Sequence, residues 1–330
     1  MNLNDLYQTS IRLGIALDPR GEAAVQSQLE ARRREYEALP AWQQPYYDQE
    51  RLRNPFGDVR IVNGPAETEL TTILLGIDIG VPELLLAAKL RSQGIGIDAV
   101  IAHHTHGIGV APSNVWDFMP VMVDVLEGEG VPRGEAEAVI FPYIEEKLRY
   151  LEDFHRIGPD TARLLDFPLA CIHTPADYYI GVGVRAALEE HRPQTVGEVV
   201  RALLTIPEVD SAARIGAAPR IMSGTAEAPA GRMLFKFGGG YILPPAAYPL
   251  LGRAGVNTVL QIGCGPEHAR AAQEAGVAIV RLPHAACDNI GINLLLDDVV
   301  RECGPLQVVP CRAFERISRH PVTSEVERGS

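Results

Sequence analysis

An apolar run, Ala99 to Ala102, ends in three histidines within four positions, in the stretch DAVIAHHTHG at 98–107. An apolar β-type run has to be buried, whereas an imidazole is costly to desolvate unless its nitrogens find partners. A chain carrying both side by side must fold so that this strand ends at water, a carboxylate or a metal ion.

Two later runs end in the same way. IHTPAD holds His173 and Asp177, and LPHAACDN holds His284 and Asp288. Each follows a strand-like run, so each is expected at the carboxyl end of a strand, where open α/β sheets assemble their sites. In both, the Asp follows the His by four positions. A helical turn starting there puts both groups on one face, with Cβ atoms about 5–6 Å apart. Singly, each piece reads as an ordinary hydrogen-bonded histidine. Jointly they point to a metal site. Imidazole and carboxylate without a thiolate suit Zn, Mn, Fe or Co. The candidate ligands exceed the need of one open catalytic ion, and two ions bridged by a carboxylate such as Asp177 use them better.

Along the chain, residues 1–54 read as a polar N-terminal helical segment. From FGDVRIVNG onward, strand-like and helix-like runs alternate, the pattern of an α/β fold with mostly parallel pairing. The expected division is a first lobe at 55–184 with a helical insertion near 114–165, an intervening segment of the second lobe at 185–250, a closing segment at 251–318 and a tail at 319–330. AAKLRSQGIGIDAVIAHH and AYPLLGRAGVNTVLQIGC echo each other as helix, glycine and strand. Two related halves would explain the echo; so would the general likeness of α/β units.

Composition narrows the function. The net charge of −12 disfavours a nucleic-acid partner, because phosphate backbones need clustered Lys and Arg. Five scattered cysteines without a CxxC pair fit reduced thiols. No run reaches the ~18–20 apolar residues needed to span a bilayer, and no signal-peptide pattern is read near Met1. The expected setting is the cytoplasm, with no membrane partner.

AVIAHH, CIHTPAD followed by GVGVRAALEE, and GCGPEHARAAQEAGVAIVRLPHAACD occur in an order that resembles the NIF-three-like dinuclear metal-centre family, the GTP cyclohydrolase I type 2 homologues, over roughly residues 60–318. The resemblance implies two related α/β lobes around a dinuclear crevice, here with an N-terminal helical appendage. It also implies His103, His104, Asp177, His284 and Asp288 as metal ligands, and a homo-hexamer. The chain departs from the family where Asp288 replaces the usual Glu, Thr105 replaces Pro, and IGCG at 262–265 replaces Thr-Gly-Asp.

His106, His173 and His268 are open to roles beside the metals or in proton transfer. His173 reads as orienting Asp177 rather than as a ligand. FGGGY at 237–241 lacks the Gly-Lys-Ser/Thr ending of a phosphate loop and reads as a tight turn. The favoured function is a metal-dependent hydrolase with two divalent ions and a small-molecule substrate, acting through a metal-bridging water in cyclohydrolase, phosphoester or amide chemistry. The alternative is a non-catalytic metal-handling or regulatory protein, metallochaperone-like. An amidohydrolase barrel, suggested by His104-Thr105-His106, has too few strand–helix units behind it.

Overall fold

The computed structural model describes residues 1–107, 112–148, 156–239 and 242–319. All but the first residue of the expected tail lies outside them, as do Gly240 and Tyr241 of the FGGGY turn.

The chain opens with α1 (Leu3–Leu17) and α2 (Glu22–Ala38) and then builds two sheets. The first lobe runs β1 (Val59–Asn63), β2 (Thr72–Gly76), α3 (Val81–Ser92) and β3 (Ala99–Ala102). Four helices follow, α4 (Pro112–Phe118), α5 (Val121–Gly128), α6 (Arg133–Leu148) and α7 (Ile157–Leu164). β4 (Leu169–Ile172) then leads into α8 (Thr174–His191). After α9 (Val196–Leu203) and α10 (Pro207–Arg214), the second lobe runs β5 (Arg220–Ser223), β6 (Met233–Lys236), α11 (Ala247–Arg253), β7 (Thr258–Gln261), α12 (Pro266–Glu274) and β8 (Ala278–Arg281). β8 leads into α13 (His284–Cys303), and β9 (Gln307–Cys311) returns to the first sheet.

The two sheets repeat one plan. Their orders are β1-β4-β3-β2-β9 and β5-β8-β7-β6. In each, the first strand pairs antiparallel at one edge and the next three pair in parallel. The echoing sequence segments are α3–β3 and α11–β7, which hold equivalent places in the two plans. The α/β fold with mostly parallel sheets is the one expected.

Strand side chains alternate between faces, and both faces of the first sheet are covered. Ile73, Leu75, Ala99, Ile101 and Ala170 join a core with α1, α8 and α13, while Leu74, Val100, Ala102 and Leu169 pack on the side of α3. That is why these strands read as unbroken apolar runs. α8 and α13 lie between the sheets: Ala176 and Ile292 join the first sheet's core, and Ile180 and Ile290 join the second's. They touch because Gly291 has no side chain. A Cβ there would stand 2.2 Å from the Ala176 carbonyl oxygen. No helix among the described residues is long and apolar enough to cross a membrane.

Candidate metal centre

Strand ends and helix starts bring the histidines and acids together. His103 follows β3 and continues the face of Ala99 and Ile101, toward α8 and α13. β4 runs out at Ile172; His173 caps α8, which carries Pro175 and Asp177 in its first turn. β8 gives way to Pro283, the cap of α13, whose first residue is His284. The two His-x-x-x-Asp pieces therefore occupy equivalent positions, each opening the helix after the fourth strand of its plan. Close packing of α8 on α13 then brings Asp177 and Asp288 to one centre.

Three imidazoles are fixed by Nδ1. That atom of His103 lies 3.2 Å from the Ile172 carbonyl oxygen, that of His104 lies 2.6 Å from Asp78 Oδ1, and that of His173 lies 2.8 Å from Asp58 Oδ2. Asp58 Oδ2 also accepts from Thr174 Oγ1 at 2.6 Å. Carbonyl and carboxylate oxygens only accept, so each Nδ1 carries a proton and each Nε2 is turned inward. His103 Nε2 stands 3.5 Å from Asp177 Oδ1 and 3.7 Å from Asp288 Oδ1. His104 Nε2 is 3.7 Å from Asp288 Oδ2, His173 Nε2 is 3.8 Å from Asp177 Oδ2, and His284 Nε2 is 3.5 Å from Asp288 Oδ1.

These separations exceed normal hydrogen-bond lengths. They suit ligands of a shared ion, since two atoms about 2.1 Å from a tetrahedral metal stand about 3.4 Å apart. His103 Nε2 and Asp288 Oδ2 are buried with no hydrogen-bond partner among the described residues. Orphan polar atoms of this kind cost about 1–3 kcal/mol each, and a divalent cation would satisfy both. Ligand atoms lie within 4.8 Å of one another in three overlapping groups: His103, His104 and His173; His104, His284 and Asp288; His103, Asp177 and Asp288. These His and Asp groups could hold metal ions.

The electrostatics agree. Burial works to lower the His103 pKa, but the Asp177 and Asp288 carboxylates outweigh it and hold the ring up at about 10. Burial likewise opposes a charged His173, and Asp177 and Asp58 overcome it. Burial would raise Asp177, yet the neighbouring imidazoles keep its pKa below the usual carboxylate range. His104 moves the other way, lowered by burial against the pull of Asp78. Without an ion, the centre thus compensates its buried acids with protons.

The five residues expected as ligands come together here. His173, expected beside the metals, contributes a nitrogen to one of the three groups. Nothing local marks Asp58 as part of the centre, whereas Asp78 sits just past β2 in GIDIG, an acid at the end of an apolar run. His106 is in none of the three groups; its ring packs on Gly158, and burial lowers its pKa. His268 stands in the first turn of α12, where its Nδ1 accepts from the Gly265 amide at 3.3 Å. A cavity of about 420 Å³ opens beside the centre, lined by Asp78, His104, His284, Asp288 and Arg312.

No family model matches the chain, and no curated protein does. Solved structures do. A NIF3 superfamily protein from Sphaerobacter thermophilus is 28% identical, with a TM-score of 0.67 over 80% of this chain and 94% of that one. Reduced HcgD from Methanocaldococcus jannaschii is 13% identical, with a TM-score of 0.45 over 77% of this chain and 89% of that one. A Bacillus cereus protein related to NIF3 is 11% identical, with a TM-score of 0.40 over 91% and 98%.

Proposed function

The chain is a divergent member of the NIF3-like family, and from that premise we propose that it binds two divalent ions, Zn, Fe, Mn or Co, and acts as a metal-dependent hydrolase in the cytoplasm. In this reading His103, His104, Asp177, His284 and Asp288 are the ligands, and His173 joins them. One observation carries it: four Nε2 atoms from two lobes converge on two buried carboxylates that have no Lys or Arg within ion-pair distance among the described residues.

Divalent ions held there would supply Lewis acidity, polarising a carbonyl or phosphoryl oxygen and acidifying water. The chain's own residues do the remaining work. Asp78, Asp58 and the Ile172 carbonyl hold the rings in one tautomer and orientation. The nearly complete burial of Asp177 and Asp288 keeps bulk water from competing for them. The cavity beside His104 and His284 admits a small substrate, with Arg312 at its wall. Opening of a ring amidine and cleavage of a phosphoester or amide are the reactions this arrangement suits. A homo-hexamer is the assembly proposed; the exposed Leu85 and Leu86 of α3 offer apolar surface for it.

The test is turnover. Metal-loaded protein should hydrolyse members of a nucleotide, phosphodiester and amide panel, and His104→Ala should abolish this while the far-UV circular dichroism is retained. Absence of turnover, with transfer of ions to an apoprotein, would establish the metal-handling alternative instead.

A further inference from the structure

A second cavity, of about 310 Å³, lies on the other side of Asp177, where α8, β6 and α5 meet. Its charges are unevenly matched. Three acids line it, and each has its own cationic partner: Asp124 pairs with Arg133 at 3.0 Å, Glu129 with Arg232 at 2.6 Å, and Asp177 faces His103 and His173. The two cations that line it have no carboxylate partner among the described residues. Arg185 lies over the Phe235 ring, 4.5 Å from its centroid. Lys236, at the end of β6, is 3% exposed, and its Nζ donates to the Gly238 carbonyl oxygen.

A buried ammonium with one neutral acceptor and no ion-pair partner is an expensive arrangement, because most of the desolvation of the charge is left uncompensated. The strand around it is apolar, so packing alone would favour Leu or Met at 236. Tyr178, Phe235 and Phe237 supply flat apolar wall beside the two cations. Ligand sites combine these elements: an apolar lining with a few convergent polar groups.

We propose that this cavity binds a small organic oxyanion, a phosphate or a carboxylate on a flat apolar body, with its anionic group drawn to the two cations of the lining, Lys236 and Arg185. The site does not need the ions, although Asp177 makes one wall common to both. If the metal centre is catalytic, the cavity is placed to hold the charged end of its substrate.

Phenyl phosphate and benzoate are the probes, titrated by calorimetry into both metal-loaded and metal-stripped protein. Saturable binding of either in both forms is expected. Lys236→Met and Arg185→Ala should each weaken it about tenfold or more, the scale of one charged contact. Gly181→Leu is the control for folding: Gly181 is on the cavity wall and a Cβ there meets nothing within 4 Å, so the added side chain enters open space. It should abolish binding and leave the metal content unchanged. Stronger binding of phenyl phosphate assigns the anion as phosphate, and stronger binding of benzoate assigns it as carboxylate. No binding of either probe, binding only to the metal-loaded form, or binding indifferent to all three substitutions would overturn the proposal. A protein that binds no metal yet binds a probe would leave this site standing and remove the metal centre.

Discussion

Asp78 Oδ1 lies 2.6 Å from His104 Nδ1, on the side of the ring opposite Asp288. The contact fixes which nitrogen faces the centre, and the hydrogen bond from His104 in turn holds the Asp78 carboxyl below its ordinary range. Asp78→Asn can still hydrogen-bond but no longer enforces the tautomer. It should weaken metal affinity about 10- to 100-fold with little change in melting temperature, as read by competition with a chromophoric chelator.

Metal binding should depend on pH with a defined sign. In the metal-free centre His103 keeps its proton up to about pH 10, and an ion requires the neutral ring. Binding therefore expels a proton, and affinity should strengthen as pH rises, up to about tenfold per unit. The stability that the imidazolium contributes to the metal-free protein is fully present below the ordinary value of 6.5 and lost as pH rises through about 10. Histidine NMR in the presence of chelator should show a protonated His103 at pH 8. A neutral ring there would refute this account of the apo centre.

The junction of α8 with α13 should be intolerant of a single methyl group. Gly291→Ala puts a Cβ against the Ala176 carbonyl oxygen, which is backbone and cannot swing aside. A loss of about 2–4 kcal/mol is expected in denaturant unfolding, together with weakened metal binding, because Asp288 lies one turn before Gly291.

Lys236 should be stabilising when removed. Burial lowers its pKa to about 8, against the pull of Asp177. Below pH 8 the folded state must hold a buried ammonium, so Lys236→Met should raise stability by about 1–3 kcal/mol at pH 7. The gain should shrink as pH rises from about 8 through the ordinary lysine value of 10.5, where the wild-type side chain is neutral in both states.

Much of this was legible in the sequence because strand ends and helix starts leave local signals. The two His-x-x-x-Asp pieces declared their helical turns by a four-residue spacing just after a strand-like run, and AVIAHH declared β3 by its unbroken apolar run. Other features had only short or long-range signals. β5 and β9 are 4- and 5-residue strands; β9 carries Pro310 and gains its meaning from pairing with β2, far away in sequence. For His173 the local spacing shows only the link to Asp177 and so reads as orienting that acid. That it also meets His103 and His104 depends on how β3 lies beside β4. Lys236 did leave a trace, a charge inside the run LFKF, which ordinary strand reading passes over.

The central claim is that two lobes build one centre for divalent ions. Metal analysis by inductively coupled plasma mass spectrometry, on protein purified without chelator and again after reconstitution, tests it most directly. The account predicts two ions per chain, falling when His103 or Asp288 is replaced by Ala. Protein that is correctly folded yet carries and takes up no divalent metal in any preparation would contradict it.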